Sequence, residues 1–443
     1  MGDQGCCNEN GVLLQHSDNA VKSSKQRGEL IAWIIFFSGV SCYCFAYLLR
    51  VYPSVMEYEL SSYFDITAGG FGLLTSFYYF AYAPMQLPVG VILDRVGPRR
   101  SLSTALMIST LGVFIFAYSK LFDIALIGRF MVGFGASFAY VTALKLASTW
   151  LPRKYFATAT GVVTGFGMVA AIFTDIFLTH GINTYGFRFA MYFPLFIGII
   201  LILLVFLIIR DKPKEEQMTD DEMVALNYRQ LGDYLWGMMR NAQMWLTGIV
   251  GALLYLPSSV FLDLWAIPYL RCVHHLTRER AAWGASTMLM GWILSSFVSS
   301  ALSDVFRTRR MPLLIGCLLA TIVSSTILFW YGVSIYFLYP LLFIFGLCCG
   351  PHPLCFTLSK ENNPHRVSGT AIAFTNFVIM MGGFVFQPIV GGILDCLWDG
   401  RLENGIRIYK AHHYIIALSI IPIGLFIASI ITLFIKETYQ RDH

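Results

Sequence analysis

Apolar residues in this chain gather in long blocks, with polar residues confined to the gaps. The blocks lie near 30-56, 67-93, 100-119, 122-150, 157-180, 187-209, 243-270, 281-302, 311-331, 335-358, 368-394 and 411-435. Each is close to or above the roughly 20 residues that a helix needs to cross a hydrocarbon core of about 30 Å. A helix pairs its own backbone groups, so lipid accepts it where it would reject an open strand. The pattern predicts an all-α integral membrane protein with twelve transmembrane helices in two six-helix bundles. The expected units are a cytoplasmic N-terminal tail over 1-29, a bundle over 30-210, a cytoplasmic linker over 211-242, a second bundle over 243-435 and a tail over 436-443.

Composition agrees with the pattern, since 56% of the 443 residues are hydrophobic and the mean hydropathy is +0.64. Soluble domains of this size do not sustain that level. The first 29 residues hold Lys22, Lys25 and Arg27 and lack an apolar core followed by a small-residue cleavage site, which excludes a secretory signal and leaves the first span as the insertion signal. Most of the Lys and Arg fall on the side of the termini, which predicts that both termini are cytoplasmic. The net charge of +5 reports this bias, so no nucleic-acid partner is implied.

The ten cysteines show no paired CxxC spacing, and no metal is expected. No GxxxxGK[ST] phosphate loop is present, so neither ATP binding nor a cofactor is expected. No local nucleophile-base or metal-ligand set supports an enzyme. The outer loops carry no N-x-[ST] acceptor, which fits a bacterial inner membrane.

The segment Gly90-Val-Ile-Leu-Asp94-Arg95-Val-Gly97-Pro-Arg99-Arg100 has an echo almost half a chain later, in Ser300-Ala-Leu-Ser-Asp304-Val-Phe-Arg307-Thr-Arg309-Arg310. Both follow the second span of a six-span set. Paired halves with a loop of the form GxxxDRxGxRR resemble the major facilitator superfamily of secondary transporters. The fourth span adds Arg129, Gly133 and Gly135, which match that family's RxxxGxG pattern. The resemblance covers roughly residues 30-435 and implies transport by alternating access. Asp94, Arg95, Arg99, Arg100, Asp304, Arg309 and Arg310 then read as a cytoplasmic gate. The acid would accept from neighbouring helix N-termini and the arginines would pair across the halves.

Charge at membrane depth is costly and marks function. Arg50 shares a helix face with Tyr43 and Tyr47, an arrangement suited to holding a carboxylate or phosphate. A first-span arginine followed by polar residues resembles the organic anion/proton symporter branch of the superfamily. Lys145, on the fourth span, is a second candidate for the substrate. It lies 16 residues from Arg129, about 160° around a helix of 3.6 residues per turn, so the two face different ways.

Polar stripes add Tyr79, Tyr82 and Gln86 on the second span and Asn376 and Gln387 on the eleventh, as further substrate-binding residues. Asp263, His352 and Asp175 are candidates for carrying coupled protons, with Arg129 in support. His352 lies between Pro351 and Pro353, which break the helical ladder around it. Glu361 is expected near the gate arginines. The fifth-span glycines Gly161, Gly165 and Gly167 lack the Gly-Pro pair of the family's antiporter motif, which favours symport.

The expectation is a monomeric multi-pass membrane transporter whose partners are the lipid bilayer, protons and a small organic anion. The alternative is a zwitterion, with Arg50 on its carboxylate and Asp263 on its ammonium. The resemblance extends to the phagosomal-transporter-like amino-acid carriers of intracellular bacteria and to carriers of carboxylate siderophores.

Overall fold

The computed structural model describes residues 9–152, 155–209, 232, 236–330, 332–363, 368–403 and 406–439. Side chains are described from residue 29 onward, except those of Phe156, Ala157, Phe297, Ser300, Ala301, Asp304, Ser368 and Glu403. The expected linker 211-242 therefore falls mostly outside the described residues, as does the side chain of the gate candidate Asp304.

Helix covers every predicted span. The first half holds α1 (Glu9–Val51), α2 (Glu57–Phe64), α3 (Ala68–Val96), α4 (Pro98–Tyr118), α5 (Phe122–Trp150), α6 (Phe156–Tyr185) and α7 (Phe187–Ile208). The second holds α8 (Ala242–Leu256), α9 (Ala266–Val273), α10 (Arg278–Val305), α11 (Arg310–Phe329), α12 (Ile335–Cys349), α13 (Leu354–Glu361), α14 (Ser368–Leu397), α15 (Ala411–Leu418) and α16 (Ile420–Thr432). A two-residue-per-strand hairpin, β1 (Leu402–Glu403) with β2 (Ile406–Arg407), follows α14.

Among the described residues, 10 helices are long and apolar enough to cross a membrane. The two other predicted spans lie over α3 and α10. α3 carries Tyr78, Tyr79, Tyr82, Pro84 and Pro88, which lower its apolarity, and α10 is not described at every side chain. Large apolar side chains such as Phe196, Leu203 and Leu207 of α7 stay exposed, as they must where hydrocarbon is the solvent.

Four spans are interrupted: the first, seventh and twelfth where the sequence was read as continuous, and the tenth at the break that its prolines predict. The twelfth divides at Ser419, between α15 and α16. α1 begins at Glu9, well before its apolar block, and stops at Val51 ahead of Pro53; a short turn over Ser54–Met56 leads into α2. The seventh span changes to π-helix over Pro257–Trp265. Pro257 lacks the amide that would continue the α ladder, and π segments of this kind recur at functional sites. The tenth span breaks between Cys349 and Leu354, where Pro351 and Pro353 flank His352.

The loop motif is partly turn chemistry. Gly97 has φ +89, a conformation that needs glycine, and Pro98 opens α4 at its first position. In the second copy Arg307 occupies the glycine's place and still adopts φ +50.

The helices of the two chain halves make two groups, and the most extensive single contact, α3 against α14, joins them. α5 is central to the first, against α1, α3 and α4. A Cβ at Gly133 would lie 2.0 Å from the Tyr78 carbonyl oxygen, so the RxxxGxG glycine sets the α3–α5 distance. The groups meet chiefly through α3 against α14 and α6 against α10. On the face opposite the termini, polar contacts bind the groups together. Arg278 pairs with Glu59 at 2.5 Å, Asn183 donates to Glu279 at 3.2 Å, and Asp395 accepts from the Gly69 amide at 2.8 Å. The Tyr409 hydroxyl accepts from the Ala68 amide at 3.1 Å and donates to Asp395 at 2.6 Å. Asp395 thus caps the N-terminus of α3 from the other group, where an acid is favoured.

Candidate functional site

Arg50 occupies the last turn of α1 and is only 6% exposed. Its guanidinium sits against four tyrosine rings, at 4.7 Å from the centroid of Tyr47, 5.3 Å from Tyr82, 5.6 Å from Tyr78 and 5.7 Å from Tyr79. Such faces attract a desolvated cation. Nη1 donates a 3.1 Å hydrogen bond to the Tyr255 hydroxyl on α8, so this arginine joins the two helix groups. Its Nε has no hydrogen-bond partner.

The local sequence builds the cage. Tyr47 lies one turn before Arg50 on α1, while Tyr78, Tyr79 and Tyr82 cluster on the face that α3 turns inward. Tyr43 packs edge-on against Tyr47, with centroids 5.3 Å apart. A Cβ at Gly167 of α6 would reach 2.6 Å from the Tyr43 ring, so that glycine admits the pair.

Arg129, almost fully buried, donates from Nη1 to the Leu49 carbonyl at 2.8 Å. Its guanidinium lies 5.4 Å from the Tyr78 centroid and 5.7 Å from that of Tyr52. It therefore ties α5 to the turn that carries Arg50 and shares a ring with it.

Asp263 lies on the π segment and is 5% exposed. Its carboxylate accepts a hydrogen bond from the Tyr79 hydroxyl, whose ring also faces Arg50. Asp175 of α6 is 3% exposed, and its Oδ1 has no partner. Both acids line one cavity between the groups, together with Tyr47, Tyr255, Ser258 and Trp292. His352 stands one layer back, stacked on Tyr255 with centroids 4.9 Å apart at 30°, and its Nε2 is unpartnered.

Several expected residues have other engagements. Asn376 donates to Gln86 at 2.9 Å, and Gln387 donates to the Ser259 carbonyl at 2.6 Å. The first pair bridges α3 to α14; the second secures a carbonyl on the π segment. Lys145, expected at the substrate site, instead pairs with Asp94 at 2.8 Å, with side chains 37% and 53% exposed. It lies near the terminus-side end of α5, where its stem reaches the loop. The expectation that Asp94 caps a helix N-terminus gives way to this ion pair.

The gate arginines, expected to pair across the halves, make their described contacts within their own group. Arg99 donates to the Phe206 carbonyl at 2.8 Å. Arg309 pairs with Glu361 at 3.2 Å, the partner expected for that acid. Arg310 donates to the Leu433 carbonyl at 3.3 Å. Arg95 and Arg100 flank Asp94 at the adjoining ends of α3 and α4.

Tyr255, Ser258 and Trp292 escaped the sequence reading. Tyr255 and Ser258 flank Pro257 in the same span as Asp263, and that break in the ladder was the available signal.

Two helix groups meet at a buried charged centre, and a comparison of the chain with known families says what kind of protein is built this way. The description of the Major Facilitator Superfamily matches residues 32–393. The chain belongs to the major facilitator superfamily. This superfamily member is a multi-pass membrane transporter and not an enzyme. It is similar to a probable sulfoacetate transporter of Cupriavidus necator, 24% identical over 304 residues that cover 66% of this chain and 70% of that one. The glycerol-3-phosphate transporter of Bacillus subtilis is 24% identical over 424 residues, 86% of this chain and 90% of its own. Among solved structures, a bacterial homologue of the human lysosomal transporter Spinster, inward-facing and unoccupied, superposes with a TM-score of 0.74 at 16% identity, covering 91% of this chain and 97% of that one.

Proposed function

We propose that this protein moves a small carboxylate-bearing organic anion in symport with protons. Two six-helix halves, 30-210 and 243-435, would rock about the central cavity, with twelve spans in all and both termini cytoplasmic, in a bacterial inner membrane. The observation that carries this reading is Arg50, a permanent charge buried between the halves with its Nε unpartnered. A planar guanidinium in a dry site holds a carboxylate or related oxyanion through paired hydrogen bonds. The relatives named for sulfoacetate and glycerol-3-phosphate support an anion, since both of those molecules are small and acidic.

Tyr43, Tyr47, Tyr79 and Tyr82 shape and orient the arginine, and Gln86, Asn376 and Gln387 hold the surrounding helices in register. Asp263, Asp175 and His352 supply groups that exchange protons around the cavity, and Arg129 braces the helix turn beneath Arg50. On the face of the termini, Asp94 with Lys145, and Arg95, Arg99 and Arg100, form the gate of the first half. Asp304, Arg309 and Arg310 are its counterparts in the second.

The test is uptake by purified protein in liposomes, across a panel of organic acids, with and without an imposed pH gradient. An acid that accumulates only under inward-directed protons, and is not accumulated by Arg50→Ala, is the expected result. Failure of every acid to bind or move would sink the anion site; uptake indifferent to the pH gradient would sink the proton coupling.

A further inference from the structure

The cavity's charge is the opposite of what an anion carrier alone requires. Of the side chains that line it, Asp175 and Asp263 are acidic and none is basic. Arg50 is withdrawn from it behind Tyr47 and Tyr255, which touch the guanidinium on one side and line the cavity on the other. Its charge is already directed at Asp263 through Tyr79, which lies beside one and donates to the other. Asp175 has no such partner. It is buried, its Oδ1 accepts no hydrogen bond, and it faces the shared cavity. A buried carboxylate oxygen without a donor is costly and calls for one.

We propose that Asp175, Ser258 and Asp263 form a subsite for a primary ammonium group. The substrate is then a zwitterion whose carboxylate goes to Arg50 and whose amine goes to the acidic cavity. This rests on the Arg50–carboxylate contact proposed above and refines the substrate from a simple organic anion to an amino-bearing carboxylate. An ammonium has three N–H donors and no acceptor, which suits two carboxylates and a hydroxyl. The anionic end reaches Arg50 once Tyr255 releases it, so binding both charges draws α1, α6 and the π segment onto a single ligand.

The experiment is thermal stabilisation of the purified full-length protein by three matched sets of probes. Alanine is compared with propionate and ethylamine, leucine with 4-methylpentanoate and isopentylamine, and phenylalanine with 3-phenylpropionate and phenethylamine. In at least one set the amino acid should act at a concentration roughly tenfold or more below that of its desamino acid, the effect of one charge-assisted contact. Asp175→Asn should abolish that preference, and Ser258→Ala should reduce it. The melting temperature of each variant without ligand reports whether it has folded.

Equal or better action of the desamino acid in every set overturns the proposal, as does absence of stabilisation by any amino acid. Retention of the preference in a folded Asp175→Asn protein overturns it too. Binding of carboxylates alone, lost in Arg50→Ala, would leave the anion reading standing while this subsite falls. Binding of amines alone would leave the acidic subsite standing while the carboxylate reading falls.

Discussion

Arg50 on α1 and Tyr255 on α8 share a 3.1 Å hydrogen bond across the seam between the two helix groups. The donor is a buried guanidinium already surrounded by aromatic faces, and the acceptor is itself stacked on His352. Whatever separates the halves at this level must break that bond, which makes it a direct reporter of the conformational cycle.

Tyr255→Phe keeps the ring and removes the acceptor. A buried N–H donor left unpaired costs about 1–3 kcal/mol. The variant should melt below the parent in detergent, and a ligand that occupies Arg50 should restore most of the difference. An unchanged melting temperature would mean that water or another group satisfies the donor.

Arg50→Lys keeps the charge and loses the planar fork. Lysine offers three rotating donors on a compact head in place of a fork pre-shaped for a carboxylate. Initial uptake rates at saturating and limiting substrate should show transport reduced by roughly tenfold or more, a loss of about 1.4 kcal/mol in binding. Parental rates would mean that only the net charge at this position matters.

Lys145 and Asp94 should behave as gate rather than substrate residues. Both are well exposed, so neutralising either alters stability by less than about 1 kcal/mol. Lys145→Gln is expected to change the maximal transport rate with little change in KM, whereas Arg50 variants change binding. A large rise in KM for Lys145→Gln in a transport assay would return it to the substrate site.

The seal on the face opposite the termini is testable by access. Asp395→Asn removes the acid that caps α3 and leaves Tyr409 and Arg407 without their charged partner. In a background stripped of its native thiols, a cysteine introduced at Ser258 should react faster with a membrane-impermeant reagent added on that face. Gly391→Ala should do the same, because its Cβ would lie 2.2 Å from the Ala68 carbonyl oxygen in the sealed packing. No gain in labelling in either variant would show that these contacts do not control access.

The membrane class, the helical segments and the internal repeat were legible in the sequence. Apolar blocks, charge placement and turn residues such as Gly97 act locally, each through neighbours a few positions away. The arginine at membrane depth and the acids Asp175 and Asp263 stood out for the same reason, since charge is rare in such blocks. Tertiary structure alone decided their partners. Lys145 turned to Asp94 because both lie at the same end of adjoining helices, and Gln86 met Asn376 because α3 packs on α14. Tyr255, an unremarked aromatic residue in a long apolar span, became the partner of Arg50 only through a contact 205 residues away in sequence. Periodicity assigns a side chain to a face of its own helix; which helix covers that face depends on how all of them pack.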